Sequence, residues 1–281
     1  MRLELNGDSK TAVITGGSSG IGLAVARRLS GLGYSLLLIA RNPERLDAAI
    51  SSLLAARPEG NCRSLSLDIA GLRAAGFDDA DAAVEAALEG MPPVKLLVNG
   101  AGAAFPGIIE GRDPELIERT INLNFTGHTL FTRLILPRFT AGGSIINISS
   151  MGGLFPIFGL ADYGGAKRGL ILFSDALRSE LKPRGISVHV LCPPDTDTPG
   201  FANENLTKPA ETDKISGLAG LWSPERVAEI LLRGLKRDKF LILPDLRAKF
   251  QVLVARLFPG LIRVLFDSDI KSIQKQGKNN G

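Results

Sequence analysis

Short apolar runs alternate along most of the chain with longer stretches in which apolar positions recur every three or four residues. The runs read as strands over Thr11–Thr15, Ser35–Ala40, Cys62–Asp68, Lys95–Asn99, Ser144–Ser149, Ile186–Cys192 and Phe240–Leu243. The periodic stretches read as helices over Ile21–Leu32, Glu44–Ala56, Ala80–Leu88, Asp113–Leu136, Tyr163–Leu181 and Pro224–Leu235. Several strands, such as Leu36-Leu37-Leu38-Ile39, are apolar at every position, which is the pattern of a strand covered by helices on both faces. The alternation predicts an α/β, doubly wound fold around a seven-stranded parallel sheet, in a single domain with ligands at the carboxyl ends of its strands. One long irregular segment, Pro193–Trp222, reads as a lid or binding loop. The organisation expected is a body over residues 1–244, with 193–222 as its substrate loop, and a basic amphipathic tail over 245–281.

At 281 residues the chain can bury about three-quarters of its unfolded surface, so it needs no disulfide or metal to hold a core. Two cysteines, Cys62 and Cys192, with no CxxC and two histidines, argue against a zinc site or disulfide scaffold and suit a reducing compartment. Met1–Lys10 carries no secretory apolar region, which points to the cytoplasm. Residues 245–281 hold seven Lys/Arg against three Asp, leaving 26 basic and 26 acidic residues before them. A neutral body with a basic tail gives no indication of a nucleic-acid surface.

Within that tail, residues 250–266 are apolar but too short for a simple transmembrane helix, and Arg256, Arg263 and Pro259-Gly260 interrupt them. Lys249, Arg256 and Arg263 are seven apart and share a helical face opposite Val252, Phe266 and several leucines. This pattern suits peripheral contact through residues 247–266 with an anionic membrane face, that of the endoplasmic reticulum in a eukaryote. Docking onto the body or onto a second subunit are the alternative fates of the same surface.

After the first strand comes Thr15-Gly16-Gly17-Ser18-Ser19-Gly20-Ile21-Gly22, opening a helix. Glycines allow a tight turn and close approach to a pyrophosphate, whose charge is met by the unpaired N–H groups of the helix start. A turn that serves packing alone is the plainer alternative. At the end of the second strand, where an NAD site places a carboxylate, stands Arg41. A guanidinium there can pair with a 2′-phosphate, with Ser18 as a second contact, which favours NADPH over NADH. A solvated surface arginine is the competing reading. Asp68-Ile69 could meet the adenine edge, and Asn99-Gly100-Ala101-Gly102 forms a further close turn.

Downstream lie Ser150 and Tyr163-Gly164-Gly165-Ala166-Lys167. If Tyr163 opens a helix, Lys167 falls one turn later on the same face. A neighbouring ammonium stabilises phenolate, which would lower the tyrosine pKa from about 10 and make it an effective proton carrier.

Taken together and in order, Thr15-Gly16-x-x-x-Gly20-x-Gly22, Asn99-Gly100-Ala101-Gly102, Asn124 within Asn122-Leu123-Asn124-Phe125-Thr126-Gly127, Ser149-Ser150 and Tyr163-x-x-x-Lys167 resemble the short-chain dehydrogenase/reductase family. The resemblance runs from Thr11 to about Leu243 and implies a Rossmann-type fold and an NADP-dependent oxidoreductase. It implies that Tyr163 is the acid/base, that Ser150 holds the carbonyl oxygen, that Lys167 binds the nicotinamide ribose and tunes Tyr163, and that Asn124 positions a relay water. Gly16, Ser18, Ser19, Gly20, Ile21, Gly22, Arg41, Asp68, Ile69, Asn99, Ala101 and Gly102 become cofactor contacts beside Tyr163 and Lys167. The family's proline-glycine after the sixth strand is replaced by Pro193-Pro194, followed by Thr198, with Pro193 and Thr198 carried as contacts. A homo-oligomer is implied as well.

Met151–Leu160, uncharged and lying between Ser150 and Tyr163, suggests an apolar substrate, or else a core loop packed on its own protein. Residues 193–212 resemble the corresponding loop of the 3-ketodihydrosphingosine reductases, the sphingolipid-synthesis members of the family. That implies NADPH reduction of a long-chain lipid ketone, the C3 ketone of a 2-amino ketone. Asp195, Asp197, Glu204 and Glu211 could attract its ammonium, and none is singled out. A ketoacyl thioester, a steroid or a small ketone is the rival substrate, and an inactive NADP- or lipid-binding scaffold the rival class.

Overall fold

In the computed structural model, which describes residues 9–74, 76–217 and 220–279, seven strands form one parallel sheet. They are β1 (Thr11–Thr15), β2 (Ser35–Ala40), β3 (Cys62–Ser66), β4 (Val94–Asn99), β5 (Phe139–Ile148), β6 (Ser187–Leu191) and β7 (Leu241–Ile242). Their order across the sheet is β3-β2-β1-β4-β5-β6-β7, so the winding reverses between β1 and β4. A crevice opens at such a reversal, outside the carboxyl ends of the strands.

The unbroken apolar run of β2 shows why helices cover both faces. Leu36 and Leu38 enter a core with Ala12, Ile14 and Val98 beneath α1 (Gly20–Gly31), α2 (Pro43–Ala56) and α9 (Pro224–Lys236). Leu37 and Ile39 point the other way, into a core with Val13 and Leu97 beneath α3 (Phe77–Leu88), α5 (Gly127–Ile135) and α6 (Ala161–Leu181). Each such side chain removed from water stabilises the fold by about 1.5–3 kcal/mol, so a polar substitution on either face is costly unless it finds a hydrogen-bond partner.

Several elements differ from the sequence reading. β3 ends at Ser66 rather than Asp68, because the Asp68 carboxylate accepts the Ala70 N–H at 3.0 Å and starts a short 3-10 turn over Ile69–Gly71. β5 begins at Phe139, five residues before the expected Ser144, and pairs Phe139 with Val94. The helix expected over Asp113–Leu136 is α4 (Pro114–Ile121), a π-helical turn over Asn122–Thr126, then α5. The segment read as irregular, 193–222, contains α7 (Pro199–Glu204) and α8 (Ala210–Ser216). Thr198 accepts the Phe201 N–H at 3.1 Å, and Pro199 takes the first helical position, where it has no N–H to satisfy.

The tail is two helices, α10 (Leu246–Leu257) and α11 (Pro259–Asn279), rather than one continuous face. Phe258, preceding a proline, is held out of the helical region at φ −131°. Lys249, Arg256 and Arg263 are all exposed, but Arg263 belongs to the second helix. Ala248 and Val252 of α10 pack against Met151, Val190 and Cys192, so the tail docks onto the body. Among the described residues no helix is long and apolar enough to cross a membrane. Residues 1–8, on which the reading of the N-terminus rests, and the side chain of Lys278 lie outside what is described.

Candidate active site

The glycine turn lies in the crevice at the β1–β4 reversal. Gly16 has φ +68°, and a Cβ there would come within 2.8 Å of the Ala101 backbone nitrogen, so the two turns can meet only without a side chain. The N–H groups of Gly16 and Gly17 both reach the Ile39 carbonyl, at 2.8 and 3.3 Å, and fix the turn to the end of β2. Ser19 precedes α1 but its side chain makes no capping bond, so the first N–H groups of α1 have no side-chain acceptor there. That arrangement fits an anionic group at the helix start. Arg41 is exposed directly after β2, and Asn42 beside it caps α2 through the Arg45 N–H. Asp68 is exposed, whereas the Ile69 side chain is buried in the core.

Asn99 is placed differently from a cleft-facing contact. Its amide donates to Thr132 Oγ1 and Asn147 Oδ1, both at 2.8 Å, inside a buried network that Asn147 extends to Ser174. The Ala101 carbonyl accepts from His128 Nε2 at 2.6 Å. Burial, with the charge of Lys167 second, lowers the His128 pKa to about 3, which keeps the ring neutral and a donor.

Four residues expected to work together do converge. Lys167 follows Tyr163 by one turn of α6, and its ammonium lies 5.7 Å from the Tyr163 ring centre while donating to the Ile148 carbonyl at 2.9 Å. Ser150 and Tyr163 line the same cavity, and Ser150 Oγ accepts the Gly152 N–H at 3.0 Å. The π-helical turn, a distortion common at functional sites, carries Asn124 inward. The Asn124 amide donates to the Ala103 and Thr120 carbonyls at 2.8 and 2.9 Å, leaving its Oδ1 buried without a hydrogen-bond partner. A Cβ on Gly102 would lie 2.9 Å from that oxygen and 3.2 Å from Lys167 Nζ, so both atoms border the space the glycine leaves open.

Electrostatics here depart from expectation. Burial lowers the Lys167 pKa to about 7, which weakens the charge meant to stabilise phenolate. The Tyr163 pKa is raised, first by burial and then by the negative charge of Glu204, and Ser150 opposes this in part. Tyr163 is therefore held as a protonated phenol.

Ser150, Tyr163, Lys167 and Glu204 open on a cavity of about 470 Å³. Ile21, Gly102, Pro193 and Thr198 are among the residues that border it. Its apolar wall includes Met151, Phe155, Ile157 and Leu160, so the uncharged segment after Ser150 does face the site. Ile262, Leu265 and Phe266 of α11 close the far side, with the Phe266 ring centre 6.5 Å from that of Phe155.

The family model for short chain dehydrogenases matches residues 10–209. The chain belongs to that family. Among relatives of this short-chain dehydrogenase, a zebrafish (Danio rerio) protein named 3-dehydrosphinganine reductase is 34% identical over 85% of this chain and 71% of its own. A Dictyostelium discoideum protein named 3-ketodihydrosphingosine reductase is 33% identical over 92% of this chain and 80% of its own. Of solved structures, a Sphingobium yanoikuyae short-chain dehydrogenase in complex with NADPH is 30% identical, covers 90% of this chain and 95% of its own, and superposes with a TM-score of 0.74.

The sequence reading of this short-chain dehydrogenase missed two charged groupings. Arg112 Nε lies 3.1 Å from Asp162 Oδ2, with the side chains 4% and 2% exposed, and Arg112 also donates to the Phe105 and Gly107 carbonyls. Asp162 Oδ1 accepts the Tyr163 N–H at 2.8 Å, so the pair ties the loop before α4 to the turn that carries Tyr163. Asp162 in the first turn of a helix is an unremarkable sequence feature, and nothing local connects it to Arg112. The second grouping is Lys208 with Asp195, Glu204 and Asp213, at 3.3, 3.9 and 3.8 Å.

Proposed function

We propose that this chain reduces the C3 ketone of 3-ketodihydrosphingosine to the alcohol with NADPH, in sphingolipid synthesis. The observation that carries this is the placement of Ser150, Tyr163 and Lys167 on an apolar cavity whose far wall is built from the C-terminal tail, with Asn124 Oδ1 buried behind Gly102 near Lys167. The sphinganine-reductase names of relatives that align over most of the chain, and the NADPH held by a solved relative, support it.

NADPH supplies the hydride when bound. The start of α1, with Gly16, Ser18, Ser19, Gly20, Ile21 and Gly22, would hold its pyrophosphate, and Arg41 its 2′-phosphate. Asp68 and Ile69 would lie beside the adenine, with Ile69 offering its backbone, and Asn99, through its backbone, Ala101, Gly102, Pro193 and Thr198 along the remainder. In this reading Ser150 donates a hydrogen bond to the ketone oxygen, and the protonated Tyr163 gives its proton as negative charge develops there. Lys167 binds the nicotinamide ribose and favours the phenolate that results. The unpartnered Asn124 Oδ1 holds a water that returns a proton towards Lys167.

Residues 1–244 form the catalytic body, with 193–222 as the segment over the substrate. A homo-oligomer is the proposed assembly. Residues 247–266 are the proposed contact with the cytoplasmic face of a membrane: Phe250, Leu253 and Leu257 of α10 and Leu261 and Val264 of α11 are exposed among the exposed Arg247, Lys249, Arg256 and Arg263. Purified protein in detergent is expected to oxidise NADPH with the sphingoid ketone in preference to ketoacyl, steroid and small-ketone substrates. Turnover of another ketone alone would remove the lipid assignment and keep the reductase chemistry.

A further inference from the structure

We propose that Glu204, with Asp195 behind it, binds the ammonium of the substrate and so selects a 2-amino ketone over a ketone lacking the amine. The inference rests on the reduction proposed above. Of the four acidic residues in the 193–212 segment that the sequence offers for this role, the structure separates two from the others. Asp195 and Glu204 line the cavity together with Ser150 and Tyr163, whereas Asp197 and Glu211 are not among its lining residues. Glu204 ends α7 with its side chain 15% exposed, and Asp195 leads into that helix at 23%. The charged residues on the cavity wall, among the described residues, are Lys167, Asp195, Glu204 and Asp269.

Charge balance around Glu204 leaves room for a cation. Lys208 is the one ammonium shared by three carboxylates, and it lies nearer Asp195, at 3.3 Å, than Glu204, at 3.9 Å. A carboxylate kept from water without a full countercharge is costly, and Glu204 responds with a pKa raised to about 7, chiefly by burial and also by Asp195. A second cation beside it would favour its charged form. Position agrees with this, because Glu204 and Tyr163 line the same cavity. In a 2-amino ketone the ammonium is borne by the carbon next to the carbonyl. Once the ketone oxygen is on Ser150 and Tyr163, the ammonium lies in the cavity that Glu204 and Asp195 also line. The apolar wall of Met151, Phe155 and Phe266 is left for the alkyl chain.

The test compares 3-ketodihydrosphingosine with the same long-chain hydroxyketone lacking the amine, for the wild type and for Glu204→Gln, Glu204→Asp and Asp195→Asn. The wild type is expected to favour the amino ketone through KM. Glu204→Gln should raise KM for the amino ketone about tenfold with a much smaller change in kcat, lowering the ratio of kcat/KM between the two ketones about tenfold. Glu204→Asp, which keeps the charge, should restore much of that ratio, and Asp195→Asn should lower it less than Glu204→Gln. A parallel fall on both ketones in Glu204→Gln would mean a structural role and overturn the inference. A wild type that reduces both ketones equally well would overturn it too, while leaving the long-chain reductase reading in place. A wild type that turns over neither would overturn both.

Discussion

Lys167 and Tyr163 show how burial redirects a pair that the sequence presents as a simple cation beside a phenol. Lys167 is lowered from 10.5 to about 7 in the fold, so between those values the unfolded chain binds more protons than the native one. Stability should therefore rise with pH across roughly 7 to 10, and Lys167→Met should flatten that rise in thermal melts. Glu204 acts with the opposite sign: its raised pKa contributes stability that is present below 4.5 and lost as pH climbs towards about 7. Arg112 and Asp162 make a different prediction. Because both are buried, Asp162→Asn strands the guanidinium without its counter-ion and should cost about 3–5 kcal/mol in denaturant unfolding. Spacing made Tyr163 and Lys167 legible in the sequence, because four residues on a helix are neighbours whatever the rest of the chain does. Arg112 and Asp162 meet only through tertiary packing, and the turn of Asn99 into a buried network depends on Thr132 and Asn147 in the same way.

The strands were legible because a doubly covered parallel sheet needs apolar residues facing both ways, and β1, β2, β4 and β5 carry such runs at Ala12–Ile14, Leu36–Ile39, Leu96–Val98 and Ile145–Ile146. Polar caps and turns set the ends that were read less well: the Asp68 carboxylate shortens β3, and Thr198 with Pro199 starts a helix where the chain looked irregular. The π-helical turn that places Asn124 has no sequence period of its own. The tail departs furthest from its reading, since Pro259 divides it and Val252 turns one side of α10 into the body. What stays outside is a stripe of Leu246, Phe250, Leu253 and Leu257 at helical spacing, 79%, 67%, 53% and 62% exposed. Such a stripe among arginines and lysines suits an anionic bilayer surface. Leu253→Asp with Leu257→Asp should release the protein from sedimenting anionic liposomes at matched oligomeric state. Retained sedimentation, or a shift in oligomeric state instead, would assign the stripe to another partner.

Across the whole molecule, the sheet reversal sets a glycine turn and an uncapped helix start beside β4, while α6 and the β5 end carry Tyr163, Lys167 and Ser150 to the same crevice. The segment with α7 and α8 and the tail helix α11 then enclose the space beyond Tyr163 in apolar side chains. The sheet and crevice follow from local pattern plus the handedness of βαβ crossovers, which is why they could be anticipated. The enclosing wall could not, because it joins residues from Met151 to Phe266 that no local period relates.

In the proposed reaction the C3 of a long-chain 2-amino ketone receives a hydride in this cavity. NADPH deuterated at the transferable C4 position, incubated with purified protein and 3-ketodihydrosphingosine, tests it directly by mass spectrometry of the lipid. The expected product is dihydrosphingosine one mass unit heavier, with the deuterium at C3, and no such product from Tyr163→Phe. Unchanged ketone, or label in the product of Tyr163→Phe at the wild-type rate, would contradict it.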